Sequence, residues 1–290
     1  MRTHLAMLSC VAALVGSAST ASAKSKLQYK VFTGSLEGFL VNSTLIYGAK
    51  DAVLIDGMFT IGDAKTVAAG IKATKKNLTT VYVTHFHPDH YFGLVVIRKE
   101  FPKARIVALP SAVADIKRTW KEKVDQWSGM YKDNIPSEPI IPEELKGDSI
   151  TLEGEKLQVT GELQGDAMDN SYVWVPALKL VVTGDIVYNG VFPWTAESTP
   201  ATRKAWKASV DKIAALKPEI VVPGHQKRDA KDDAASLAFM GTYLAAYDDA
   251  LAASKTSEEL QAKVKQKFPD LALVVILKIG ADAAFPPAKR

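Results

Sequence analysis

The chain has 290 residues, 47% of them hydrophobic and 23% charged. That balance excludes a disordered chain, a collagen-like repeat and a multi-span membrane protein, and it supplies apolar residues for a sizeable core. Lys and Arg outnumber Asp and Glu by 36 to 32, a net charge of +4 that is scattered along the chain, too weak an excess to argue for nucleic acid as a partner.

Arg2 and His4 precede an apolar run from Leu5 to Val15, and small residues follow it to Ala21-Ser22-Ala23, the pattern of a secretory signal peptide. The run is shorter than the roughly 20 residues that span a bilayer. Cleavage after Ala23 is therefore expected, giving a periplasmic or secreted product with no membrane attachment. The mature chain, 24–290, would lack Cys10 and with it any disulfide or thiolate chemistry. It would keep four histidines: His85, His87, His90 and His225.

Beyond residue 23, Leu27–Phe32, Phe39–Tyr47 and Ala52–Ile55 read as strands, the last ending at Asp56-Gly57. Asp63 opens a helical pattern with Ala64, Val67, Ala68 and Ile71 on one face. Thr79–Thr84 is then a buried-strand run that delivers the chain into His85. Arg105–Leu109 predicts a strand, Ser111 to about Lys132 a helix, and the proline-rich Ile135–Pro142 an extended segment. Strands follow at Ser149–Leu152, Leu157–Leu163, Ser171–Val175 and Leu178–Thr183. Thr202–Leu216 predicts a helix, Ile220–Val222 a strand, and Lys231–Ala253 and Ser257–Lys267 closing helices. Strands then helices, twice over, predict two similar halves packed in layers.

His85-Phe86-His87-Pro88-Asp89-His90 gathers three imidazoles and a carboxylate just past a strand. These ligands suit zinc and neighbouring transition metals, and a loop at a strand end can feed two adjacent metal positions. The pattern His-x-His-x-Asp-His resembles the signature of the metallo-β-lactamase superfamily. In the order of that family come Leu54-Ile55-Asp56-Gly57 ahead of the motif, Thr183-Gly184-Asp185 after it and Pro223-Gly224-His225 last.

The resemblance implies a four-layer αβ/βα sandwich over 24–290 and two divalent ions, zinc, with manganese or iron(II) admissible at the first. His85 and His87 would hold the first metal, and Asp89, His90 and His225 the second, with Asp185 bridging both. The family's third histidine for the first metal is missing. Asp166, in Gly165-Asp166-Ala167-Met168-Asp169-Asn170, stands in its place. Glu162 is the second candidate for that position, and a turn residue that binds no metal is the alternative for Asp166. Asp169 and Asn170 would shape the turn or approach a substrate. With Asp166 as ligand, three carboxylates and a bridging hydroxide cancel the charge of two divalent ions, leaving the site neutral where the usual set leaves one positive charge. Such a site pulls less on anionic substrates and tolerates hard ions better.

Tyr188, where lactam-hydrolysing members carry a lysine, would hydrogen-bond a substrate carbonyl, or else is a half-buried aromatic at a strand end. Phe59, Trp120, Trp127, Met130, Tyr131 and Phe192-Pro193-Trp194 could wall an apolar pocket. The implied activity is a metallo-hydrolase in which a metal-bridged hydroxide, oriented by Asp89, attacks a small-molecule ester, lactone or other carbonyl substrate. The lactonase or esterase reading is favoured over the β-lactamase one. The alternatives are β-lactam hydrolysis, phosphodiester cleavage and a non-catalytic metal-binding role. Substrate identity and oligomeric state are not encoded in a readable way.

Overall fold

Alternation of side chains along the strands decides which face each sheet turns inward, and here both sheets are apolar on both faces. In the computed structural model, which describes residues 27–286, the chain opens with strands β1 (Gln28–Thr33), β2 (Asn42–Tyr47) and β3 (Asp51–Ile55). Helix α1 (Ile61–Ala73) leads to β4 (Asn77–Val83), and α2 (Leu94–Glu100) to β5 (Arg105–Ala108). Helix α3 (Pro110–Tyr131) precedes the short β6 (Glu143–Glu144). These strands form one six-stranded sheet in sequence order, antiparallel from β1 to β3 and parallel from β3 to β6.

The second sheet is built from β7 (Ser149–Leu152), β8 (Glu155–Leu163), β9 (Asn170–Val175), β10 (Leu180–Val182) and, beyond the two-residue β11 (Tyr188–Asn189) and helix α4 (Pro200–Ala214), β12 (Ile220–Val222). Its order is β12-β10-β9-β8-β7. β13 (His225–Gln226) pairs in parallel with β11, apart from either large sheet. Helices α5 (Ala235–Ala252), α6 (Ser257–Lys267) and α7 (Val274–Ala284) close the chain.

Ile46, Val53, Ile55, Tyr82 and Val107 of the first sheet meet Val159, Val173, Val175, Leu180, Val182 and Val222 of the second in one buried cluster. Their sequence neighbours point outward. Leu45, Leu54, Val81 and Val83 pack on α1, α2 and α3 through Val67, Ile71, Leu94, Ile97 and Val113. Tyr172, Val181 and Val221 pack on α4 and α5 through Trp206, Val210, Met240 and Leu244. The result is helix, sheet, sheet, helix, the four-layer αβ/βα sandwich expected from the sequence.

Two helices escaped the sequence reading. α2 has only seven residues, and α7 opens Val-Val-Ile, a β-branched run that favours strands. Packing decides otherwise: Leu277 and Ala281 bury with Tyr243, Tyr247, Leu260 and Val264 of α5 and α6. The strand expected from Phe39 begins at Asn42 instead, because Phe39 and Leu40 take left-handed backbone with φ of 57° and 54°, and the closing helix starts at Ala235 rather than Lys231. The segment read as a signal peptide, 1–23, lies outside the described residues. Among the described residues no helix is long and apolar enough to cross a membrane.

Candidate metal centre

The parallel strands β3 and β4 end side by side, so the loops that leave them share one edge of the sandwich. Asp56, one residue past β3, accepts hydrogen bonds from Thr84 N (2.8 Å), Thr84 Oγ1 (2.9 Å) and His90 Nδ1 (2.8 Å). One buried carboxylate thus fixes both ends of the histidine loop. From the second sheet, Ser171 Oγ donates to Thr84 O at 2.6 Å and lies 2.7 Å from Tyr82 Oη, which ties the loop to the sandwich core.

The side chains gathered there form two groups. His85, His87, Asp166 and Asp185 make one, and Asp89, His90 and His225 the other, each offering ligand atoms within 4.8 Å of one another. Asp185 stands between them: Oδ2 is 3.8 Å from His85 Nε2 and 3.2 Å from His225 Nε2, and Oδ1 is 3.1 Å from His90 Nε2. Asp166 Oδ2 lies 2.8 Å from His87 Nδ1, and Asp89 Oδ2 lies 3.1 Å from His225 Nε2. Gly224 permits this closeness, since a Cβ there would fall 1.9 Å from Asp185 Oδ1. The leading candidates from the sequence, His85, His87, Asp89, His90, Asp166, Asp185 and His225, are therefore in the cluster. Glu162 is not: it is exposed, at a register shift in β8 with φ of 56°. Asn170 shapes the turn, its Nδ2 donating to Asp166 Oδ1 and to Ala167 O, both at 3.1 Å.

The donor set fits metal binding. His85 Nε2, His87 Nε2, His90 Nε2 and Asp185 Oδ1 are buried and complete no hydrogen bond among the described residues, and buried polar atoms without partners are rare unless something else satisfies them. The outer ring nitrogens of His85, His90 and His225 are in use, as is usual for metal-binding imidazoles. His90 Nδ1 is held by Asp56, His225 Nδ1 by Phe39 O at 2.7 Å, and His85 Nδ1 lies 3.1 Å from Thr84 Oγ1.

Electrostatics follow from packing four imidazoles and three carboxylates out of water. Burial lowers His85 well below the usual imidazole range, reinforced by the neighbouring His90. Burial also opposes protonation of His90 and His225, yet the carboxylates around them outweigh it. His90 is held well above its ordinary value, chiefly by Asp185, Asp56 and Asp89, and His225 is pushed up to about 10, chiefly by Asp185 and Asp89. Burial raises Asp166 to about 6, against the lowering pull of His87.

Tyr188 is buried, with its ring stacked on His225 at a centroid distance of 5.2 Å. Its hydroxyl donates to Asp185 Oδ2 (2.6 Å) and lies 3.2 Å from Asp166 Oδ2. Above the cluster opens a cleft whose walls include Phe59, Trp127, Phe192 and Trp194. Trp120, Met130 and Tyr131 of the anticipated wall do not line it. Met130 is exposed, and Tyr131 packs behind Phe59 and donates to Glu37 O. Phe39, Leu273 and Ile276 take part instead, with Lys123 and Glu197. These were not singled out from the sequence, since the distance from β4 to α7 along the chain carries no signal that they meet.

A family model described as the metallo-beta-lactamase superfamily matches residues 36–225. No curated protein matches the sequence. Among solved structures, a metallo-beta-lactamase family protein from Thermus thermophilus aligns with a TM-score of 0.65 at 20% identity, covering 89% of this chain and 91% of that one. The DIM-1 metallo-beta-lactamase aligns with a TM-score of 0.55 at 21% identity, covering 77% and 95%. The metallo-beta-lactamase from Pontibacter korlensis gives 0.55 at 19% identity, covering 77% and 97%. At such identities the likeness is one of fold. With the family model spanning most of the chain and the clustered histidines and aspartates in place, the protein belongs to the metallo-β-lactamase superfamily, whose fold is that of metal-binding hydrolases.

Proposed function

We propose that the chain is an exported hydrolase of small, uncharged carbonyl compounds, esters or lactones, with Asp166 in place of the third histidine at the first of two metal positions. The observation that carries this reading is the pair of abutting nitrogen and oxygen clusters beneath an aromatic cleft. Two divalent ions, zinc in the first instance, would be held by His85, His87 and Asp166 on one side and Asp89, His90 and His225 on the other, with Asp185 between. When bound they supply Lewis acidity and an activated water.

The protein's own groups do the rest. Asp89, half-buried at the cleft floor, is placed to orient a water by accepting its hydrogen bond. Tyr188 holds Asp185 through its hydroxyl, close to Asp166, and lines the cleft; to donate to a substrate carbonyl it must give up its bond to Asp185. Phe59, Trp127 and Trp194 offer an apolar bed for the rest of the substrate and exclude water around it. The charged residues of the cleft wall are already paired: Lys123 Nζ lies 3.6 Å from Glu197 Oε1. A neutral site with neutralised walls has little hold on a carboxylate, which favours esters and lactones over β-lactams and phosphodiesters. Export rests on the pattern of residues 1–23.

The test is a panel of an aryl ester, an aliphatic lactone, a β-lactam and a bis-aryl phosphodiester, assayed on protein stripped by chelator and reloaded with zinc. The reading requires ester or lactone turnover that chelator abolishes and zinc restores. Preferential turnover of the β-lactam or the phosphodiester, or no metal-dependent turnover at all, would overturn it.

A further inference from the structure

His87 lies between two carboxylates. Its Nδ1 is 2.8 Å from Asp166 Oδ2, inside the cluster, and its Nε2, which completes no hydrogen bond among the described residues, is 3.3 Å from Glu197 Oε1, outside it. The two nitrogens of an imidazole point away from each other, so Glu197 cannot share a ligand position with Asp166. It sits behind the ring. Glu197 is in turn 3.6 Å from Lys123 Nζ on α3. The turn that carries it is built to stay put: Ser198 N and Oγ both donate to Thr195 O, at 3.1 Å and 2.8 Å, and Arg203 Nη1 donates to Ser198 Oγ at 2.8 Å. Arg203 is buried on α4 and paired with Asp248 of α5 at 2.7 Å.

We infer that Glu197 is a positioning residue that keeps the proton of His87 on Nε2, leaving Nδ1 as the metal-facing nitrogen, and that Lys123 holds Glu197 in place from across the cleft. The inference rests on the two-metal reading above. A neutral imidazole has one protonated and one bare nitrogen, and a carboxylate behind the ring selects which is which while raising the donor strength of the other. Among the cluster histidines, His90 has Asp56 in this role and His225 the carbonyl of Phe39. For His87 the role falls to a residue 110 positions further along the chain, on a loop that also forms the cleft wall. The cleft wall and the setting of the first metal position are then one arrangement.

Metal titration of the full chain against a chromophoric chelator tests this, comparing wild type with Glu197→Ala and Glu197→Gln. The alanine variant should lose about 10- to 100-fold in affinity at one of two positions and leave the other unchanged. The glutamine variant, whose amide oxygen can still accept from Nε2, should recover most of the loss. In zinc-loaded wild type, ¹⁵N-resolved proton spectra should show a slowly exchanging Nε2 proton on His87 that disappears in Glu197→Ala. Wild-type affinities at both positions in Glu197→Ala, or a bare Nε2 in the loaded wild type, would overturn the inference. Wild type that binds no metal would instead defeat the two-metal reading itself.

Discussion

Asp166 Oδ2 faces His87 Nδ1 at 2.8 Å, with both side chains buried. The carboxylate is held from its other oxygen, which accepts from Ala167 N at 2.7 Å and from Asn170 Nδ2 at 3.1 Å. A turn residue with no further task would have no reason to send its second oxygen into a cluster of imidazoles, and this placement is what supports Asp166 as a ligand.

Restoring the family's usual residue tests the chemistry of that ligand. Asp166→His removes one negative charge and offers a softer donor, so zinc should gain on manganese at the first position. The substitution also leaves Ala167 N without its acceptor in a buried place, at a cost of about 1–3 kcal/mol, and takes one of the two acceptors of Asn170 Nδ2. A higher zinc-to-manganese affinity ratio in competition titrations, accompanied by a lower unfolding midpoint, is the expected result. An unchanged ratio would show that residue 166 does not touch the metal.

Loading should release protons. In the metal-free protein His90 is held well above its ordinary value and His225 at about 10, so both are charged at pH 7, and a metal must displace those protons to bind. Affinity at the second position should therefore rise with pH through the neutral range and level off only near the value of His225. Zinc added to weakly buffered metal-free protein at pH 7 should acidify it. Binding that releases no proton and is flat from pH 6 to pH 9 would contradict these charge states.

Asp56 gives a third test, because it binds no metal in this account yet supports the loop that does. Asp56→Ala leaves Thr84 N and His90 Nδ1 without their acceptor. The variant should lose about 10- to 100-fold in metal affinity, chiefly at the position of His90, and should unfold at lower denaturant. Chelator competition and a denaturant melt of the metal-free form separate the two effects. Equal weakening at both positions would mean that Asp56 only stiffens the loop.

The sandwich was legible because strand alternation survives in the sequence: Leu54 between Val53 and Ile55, and Tyr82 between Val81 and Val83, sort cleanly onto two faces. The residues that gather in the cluster were legible because three histidines and an aspartate crowd one short loop, and the remaining partners sit in short Gly-Asp and Gly-His segments. Glu197 and Lys123 were not, since a glutamate in a loop and a lysine on a helix look like solvated surface until the fold brings them to His87. α7 was hidden for a different reason. Its β-branched opening favours a strand, and only burial of Leu277 and Ala281 against α5 and α6 makes it a helix. Tyr188 was found as a residue but not as a geometry, because nothing in its position tells that the hydroxyl reaches two aspartates.

The most direct measurement is the metal content of folded protein, by elemental analysis after zinc loading and gel filtration, for wild type and Asp166→Ala side by side. With Asp166 completing the first position, wild type carries two zinc ions per chain and Asp166→Ala carries one, the loss matching that of His85→Ala. Two ions per chain in Asp166→Ala, bound as tightly as in wild type, would contradict the account and return Asp166 to the role of a turn residue.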